Sequence, residues 1–236
     1  MERVRELLAQ QNIEITDGAI DTLEQYMDEI LALNESINLT AITDRDEFVQ
    51  KHYVDSLLAA GREEVLTAQK IIDLGTGAGF PGIPLAVCFP EKEFVLIDSL
   101  NKRIKIIQDL CQKLEISNVT AIHGRAEELA RRKDLREQFD VCVSRAVANL
   151  STLAEYCLPF VKQTGTFIAY KGPDCGDEVS DAAKAIALMG GGHTEIVTPN
   201  IDGVPFAHTL VIIDKEKQTP KAYPRKAGTP TKKPIR

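Results

Sequence analysis

No apolar run in the sequence reaches transmembrane length, and Met1-Glu2-Arg3-Val4-Arg5-Glu6 at the N-terminus carries no signal-peptide hydrophobic region. Neither a membrane span nor a secretory leader is therefore expected. The five cysteines (Cys88, Cys111, Cys142, Cys157 and Cys175) are odd in number and contain no C-x-x-C pair. Three lie within apolar runs, as reduced core thiols do, so the expected compartment is the cytoplasm. His52, His123, His193 and His208 are scattered, and no His/Cys/Asp cluster has metal-ligand spacing. No metal is expected. Internal repeats are also absent.

What remains is an ordinary globular composition. The 236 residues are 44% hydrophobic and 27% charged, enough for one sizeable α/β domain with a small addition. The net charge of −7 is uneven: from Lys215 to Arg236 there are eight Lys or Arg against one Glu. A basic tail on an acidic body points to an anionic partner, or else to a solvated, disordered end. Tyr223 and Ile235 are unusual passengers for a purely solvating segment.

Residues 1–65 read as a helical extension, with Ile20, Leu23, Met27, Ile30 and Leu31 at three- and four-residue steps. Asp17 suits a helix cap. A polar, β-prone stretch from Asn34 to Thr43 follows, then a helix predicted over Glu47 to Ala60 that carries His52 and Asp55. Residues 66–214 alternate strands and helices. Strands are predicted at Lys70–Leu74, Glu93–Asp98, Val119–His123, Asp140–Arg145, Thr166–Lys171, Thr194–Val197 and Ala207–Ile213. Helices are predicted at Ile83–Cys88, Lys102–Leu114, Ala126–Arg132, Leu150–Leu158 and Glu178–Leu188. This is the pattern of a seven-stranded, mostly parallel sheet with helices on both faces. The last two strands follow each other directly and predict an antiparallel hairpin. Residues 215–236 form the basic tail.

The richest segment is Ile71-Ile72-Asp73-Leu74-Gly75-Thr76-Gly77-Ala78-Gly79-Phe80-Pro81-Gly82. A strand running through alternating glycines into a helix is a nucleotide-cofactor corner. Gly77 to Gly82 fits G-x-G-x-x-G, the dinucleotide fingerprint. Gly75 to Gly79 fits the G-x-G-x-G turn that resembles S-adenosylmethionine-dependent methyltransferases. Gly75 directly after the strand, and Pro81 and Pro84 in the first helical turn, favour the second. Asp73 would crowd a dinucleotide's phosphates but suits the ammonium of a methionine moiety. Asp98, ending the next strand, is the acid expected on ribose hydroxyls. Gly124-Arg125-Ala126-Glu127 and Ser144-Arg145-Ala146 end later strands, where ligands bind in open α/β sheets. The alternative reading for either arginine is pairing with a structural carboxylate.

Absences narrow the chemistry. The Asp/Asn-Pro-Pro-aromatic loop of exocyclic-amine methylation is missing after the fourth strand, where Ser144-Arg145-Ala146-Val147 stands. Methylation of a pyrimidine carbon needs an activated thiolate; Cys142 lies mid-strand and Cys175 has no adjacent base. Guanine N7 carries no proton, so in-line positioning suffices without a general base.

The chain resembles the bacterial small-subunit ribosomal RNA methyltransferase G family across nearly its whole length. The resemblance runs through Asn38 to Ile42, His52 to Leu57, Asp73 to Pro84, Asp98 to Arg103, Arg125 to Glu127, Ser144 to Ala146, Lys171-Gly172 and Thr219 to Arg225. It implies a Rossmann-like class I methyltransferase fold and N7 methylation of guanosine 527 in the decoding-region loop of 16S rRNA. By the same resemblance, with the turn read above, Asp73, Gly75, Gly77, Gly79, Phe80, Asp98, Ala126, Glu127 and Arg145 hold S-adenosylmethionine. Asn38, Arg145 and Lys171 are implied as catalytic. His52, Arg125 and Lys171 are implied on the RNA side. The basic tail adds Lys221, Arg225 and Lys226, whose charge suits rRNA phosphates. On residues alone, His52 reads as a satisfied structural histidine. A nicotinamide-dependent dehydrogenase would want a second domain for which the chain has little room. A non-catalytic RNA-binding factor on the same fold stays open.

Overall fold

Short apolar runs, buried on both faces in the central strands, build one seven-stranded sheet in the computed structural model, which describes residues 1–34, 37–145, 147–199 and 208–236. The strands are β1 (Lys70–Leu74), β2 (Glu93–Asp98), β3 (Val119–His123), β4 (Phe139–Arg145), β5 (Val161–Lys171), β6 (Gly191–Val197) and β7 (Thr209–Lys215). Their order is β3-β2-β1-β4-β5-β7-β6. The first five pair in parallel; β7 runs antiparallel to β5 and to β6. The predicted hairpin pairing is therefore present. Most of its connection, and the predicted strand residue Ala207, lie outside the described residues. The chain reverses its direction of winding between β1 and β4, which places a topological switch point at their carboxyl ends.

Ten α-helices among the described residues accompany the sheet: α1 (Glu2–Gln10), α2 (Asp17–Asn34), α3 (Arg45–Phe48), α4 (Glu63–Thr67), α5 (Gly82–Cys88), α6 (Asn101–Lys113), α7 (Ala126–Leu129), α8 (Leu150–Cys157), α9 (Gly176–Leu188) and α10 (Thr229–Lys232). None is long and apolar enough to cross a membrane. One sheet face, with Ile71, Phe94, Val141, Val143, Ile168 and Tyr170, packs against α1, α2, α5 and α6. The other, with Ile72, Ile97, Cys142, Phe167 and Val211, packs against α8 and α9. All five cysteines are free, and four are buried. Burial pushes the thiols of Cys88 and Cys111 up to about 12, so neither supplies a thiolate near neutral pH.

The helix predicted over Glu47 to Ala60 is broken. After α3 comes a π-helical turn, Val49–Val54, and then a 3₁₀ turn, Leu57–Ala59. Side chains from elsewhere bond carbonyls that a regular helix would keep. Arg145 donates to Lys51 O (3.1 Å), Tyr170 to Ser56 O (2.7 Å) and Gln11 to Leu57 O (3.1 Å). Tertiary bonds therefore outweigh the helical pattern here, as π-turns at functional sites often reflect.

The C-terminal segment packs on the body. Lys215 is buried at the end of β7, where its ammonium donates to Leu158 O (2.7 Å) and Met189 O (3.0 Å). Burial lowers it to about 8. Arg225 forks onto Glu155 of α8, with Nε 3.0 Å from Oε1 and Nη2 2.7 Å from Oε2, and its own N–H also meets Oε1. Glu155 is fully buried. Arg225→Ala would strand that carboxylate at a cost of about 3 kcal/mol, or a Tm lower by about 6–12 °C for a chain of this size. Calorimetric unfolding of the variant checks this; an unchanged Tm would mean that the fork contributes nothing.

Candidate active site

At the switch point the backbone turns through Gly75, Gly77 and Gly79, all at positive φ (72°, 63° and 94°). A Cβ on Gly75 would lie 2.4 Å from the Val147 side chain, and one on Gly79 would lie 2.6 Å from the Tyr26 hydroxyl. Both conformation and space therefore demand glycine. The Tyr26 hydroxyl donates to Ala78 O (2.9 Å), so α2 of the N-terminal extension grips the turn directly.

Asp73 is fully buried beneath the turn. Its Oδ2 accepts from the Thr76 hydroxyl (2.6 Å) and the Gly82 N–H (2.8 Å). Its Oδ1 is buried and meets no hydrogen-bond partner among the described residues. Burial pushes the carboxyl up to about 6. An orphaned acceptor of this kind fits an incoming ammonium. Asp98, at the end of β2, accepts from the N–H groups of Gly77 (3.0 Å) and Leu100 (2.8 Å) and is 3.4 Å from Arg103. Gly75, Asp98, Ser99, Arg125, Ala126, Glu127, Val147 and Tyr156 line a cleft of about 110 Å³. The glycine turn with the orphaned Asp73 carboxylate beneath it, and Asp98 on the adjoining cleft, fit a cofactor with an ammonium at one end and a ribose at the other.

Arg145 ends β4 and is almost wholly buried, yet fully engaged. Nη1 donates to Asp55 Oδ2 (2.6 Å) and to Lys51 O, and Nη2 lies 3.3 Å from His52 Nδ1. Asp55 Oδ1 meets His208 Nδ1 at 2.7 Å. The guanidinium lies 5.5 Å from the Phe80 ring centroid, and that ring stacks on His52 at 4.4 Å. A donor at Nδ1's door fixes His52 as the Nε2–H tautomer, which donates to Thr40 Oγ1 (2.8 Å). Burial, then the Arg145 charge, lowers His52 to about 4, so it is neutral at physiological pH.

Comparison with known proteins fits this geometry. The family model described as rRNA small subunit methyltransferase G matches residues 19–201, more than half of the chain. The chain belongs to that family. It is 49% identical over 224 residues to the ribosomal RNA small subunit methyltransferase G of Clostridium novyi, covering 95% of this chain and 92% of the relative. It is 51% identical over 203 residues to the enzyme of that name from Clostridium botulinum strain Eklund 17B, covering 86% and 85%. In fold it is similar to a Bacillus cereus O-methyltransferase solved in complex with SAH: TM-score 0.55, 15% identity, 81% of this chain and 91% of that one. The seven-stranded sheet is thus the Rossmann-like class I methyltransferase fold, as the sequence predicts.

The site residues expected from the sequence and from the resemblance fall into several separate places. Asp73, the three glycines, Asp98, Ala126 and Glu127 converge on the turn and cleft, with Arg125 exposed at its edge. Glu127 is buried and already accepts from the Gly228 N–H (2.7 Å). Phe80, His52 and Arg145 form the adjoining stack; the Phe80 ring is buried among Tyr26, Phe48 and Tyr53. Lys171 sits apart. Strand alternation sends it from the sheet face opposite Arg145, and it bonds Glu178 (2.7 Å) and Ala148 O (3.1 Å). Asn38 is exposed in the loop after α2, two residues from the Thr40 that holds His52. Lys221 and Lys226 are exposed, whereas Arg225 is committed to Glu155. Ala146 lies outside the described residues. Sequence reasoning missed Asp55, His208 and Tyr156 as site-building groups. Asp55 alone left a trace, as the acid three residues after His52.

Among the described residues no group of His, Cys, Asp and Glu is arranged to hold a metal ion.

Proposed function

We propose that this protein is an S-adenosylmethionine-dependent methyltransferase acting on N7 of guanosine 527 in 16S rRNA, in the cytoplasm. The observation that carries the reading is identity near one half along almost the full length of named methyltransferase G relatives. The intact glycine turn and the orphaned Asp73 oxygen support it independently.

When bound, S-adenosylmethionine supplies a methyl group on a positively charged sulfur. Asp73 receives the ammonium, directly or through one water, and Asp98 accepts from the ribose. Ala126 and Glu127 bound the adenine end of the cleft. Because guanine N7 carries no proton, the chain needs to hold the base rather than to remove a proton from it. His52, neutral and locked between Thr40 and Arg145, offers shape and a stacked ring instead of charge. Arg145, beside His52 and Phe80, positions the base with Asn38, whereas Lys171 stays paired with Glu178 on the opposite sheet face. Arg125, Lys221 and Lys226 supply exposed positive charge for the RNA backbone.

The test is transfer of labelled methyl from S-adenosylmethionine to small ribosomal subunits from a strain lacking this modification, with free 16S rRNA in parallel. We expect one modified guanosine, at position 527, blocked at N7. Label at another base, or in no RNA while the cofactor binds, would overturn the assignment.

A further inference from the structure

Residues 219–236 do more than cover the surface. Arg136 donates to Thr219 O (2.8 Å) and Tyr223 O (3.0 Å), and Arg131 to Pro224 O (2.5 Å). The Arg225–Glu155 fork anchors the middle of the segment. Tyr223 and Ile235 pack against the core beneath α8 and α9. These clamps fix a strap whose next contacts reach the cofactor cleft itself. The Gly228 N–H donates to Glu127 Oε1 (2.7 Å), and the Thr231 and Tyr156 hydroxyls meet at 2.8 Å. Glu127 and Tyr156 both line the cleft. Glu127 stands on α7, a single turn of four residues that has little rigidity of its own.

From these contacts we infer that the strap is a positioning element of the cofactor cleft: Gly228 and Thr231 set Glu127 and Tyr156 in place before the cofactor arrives. This rests on the proposed cofactor reading. A wall group oriented in advance loses less freedom on binding, so affinity depends on the strap without the strap touching the ligand. The charge-assisted bond to Glu127 is the larger contribution. Arg225 then serves a folded brace, while Lys221 and Lys226 stay exposed on its outer side.

The experiment compares the full chain with a variant stopped at residue 227, which keeps the Arg225–Glu155 fork and removes both cleft contacts. Tyr156→Phe and Thr231→Val test the hydroxyl pair without truncation. S-adenosylhomocysteine binding is measured by calorimetry at a temperature where all are folded, together with the cofactor KM and kcat on saturating small subunits. For the truncated chain we expect affinity about 10-fold weaker and cofactor KM raised in step, with kcat nearly unchanged. Each point variant should lose about threefold, and the double variant no more than either alone. Binding of the truncated chain within twofold of the full chain, or point losses that multiply, would overturn the inference. A full chain that binds no S-adenosylhomocysteine would instead overturn the cofactor reading.

Discussion

Replacing Arg145 with alanine is expected to cut methyl transfer at least about 100-fold, the scale on which misplacement of reacting groups acts. The guanidinium holds four neighbours at once: Asp55, the Lys51 carbonyl, His52 and the Phe80 ring. Removing it leaves Asp55, 5% exposed, with His208 as its remaining partner, at a cost of about 3 kcal/mol. Stability and activity must therefore be separated. Arg145→Met combined with Asp55→Asn removes both charges and should restore stability to within about 1 kcal/mol, because neutralising both partners is far cheaper than stranding one. Activity should not return. Urea unfolding and methyl transfer on the same three proteins decide; recovery of both together would make Arg145 purely structural. The His52 titration gives an independent readout. The Arg145 charge is the second cause, after burial, of its depression to about 4. In the alanine variant the imidazole should move upward toward its ordinary 6.5, visible in its proton resonances. The sign for stability follows. A folded-state value below the unfolded one means that stability is lost as pH falls from 6.5 to 4, and this loss should shrink in the variant.

Local pattern made the sheet legible and left long-range chemistry invisible. Strands β1, β2 and β3 match prediction residue for residue, because β1 and β2 are short apolar runs opened by a charged residue and closed at a turn, and β3 runs between Asn118 and Gly124. β5 begins five residues earlier than predicted, since Val161 pairs with Phe139 ahead of the register shift in β4. The glycine turn and Asp73 were readable because a cofactor corner concentrates these requirements in some ten adjacent residues, and Asp98 because it ends the next strand. Arg145, by contrast, finds Asp55 at a separation of 90 residues, and Asp55 finds His208 at 153. Nothing in a periodicity carries such pairings, and the same pairings break the helix expected over Glu47 to Ala60. The tail shows the limit of composition. Eight basic residues suggested an anionic partner, and one of them, Arg225, found it in Glu155 of the same chain. Lys215 likewise lies 3.6 Å from Glu137 while donating to two carbonyl oxygens.

Asp73→Asn should weaken S-adenosylhomocysteine binding by about 10- to 100-fold and abolish its pH dependence around 6. The two effects have one cause. In the free protein, burial holds the Asp73 carboxyl at about 6, with Thr76, Gly82 and the Arg145 charge opposing that rise. Binding an ammonium requires the ionised form, so below pH 6 each unit should cost the wild type up to about 10-fold in affinity. Above pH 7 the affinity should be level. His52, at about 4, titrates outside this window. Without ligand the stability effect runs the other way. A folded-state value raised above the ordinary 3.8 means that ionising Asp73 opposes folding, so its contribution improves as pH falls from 6 to 3.8. Asparagine keeps an oxygen for the Thr76 and Gly82 donors while replacing the free, charged acceptor with an amide NH2, so the turn should persist. Calorimetric titrations of both proteins from pH 5 to 8 distinguish the outcomes. A wild-type affinity level across that range would place the ammonium elsewhere and leave Asp73 as a brace for the turn. A drop below 6 that survives in the asparagine variant would assign the titration to another group.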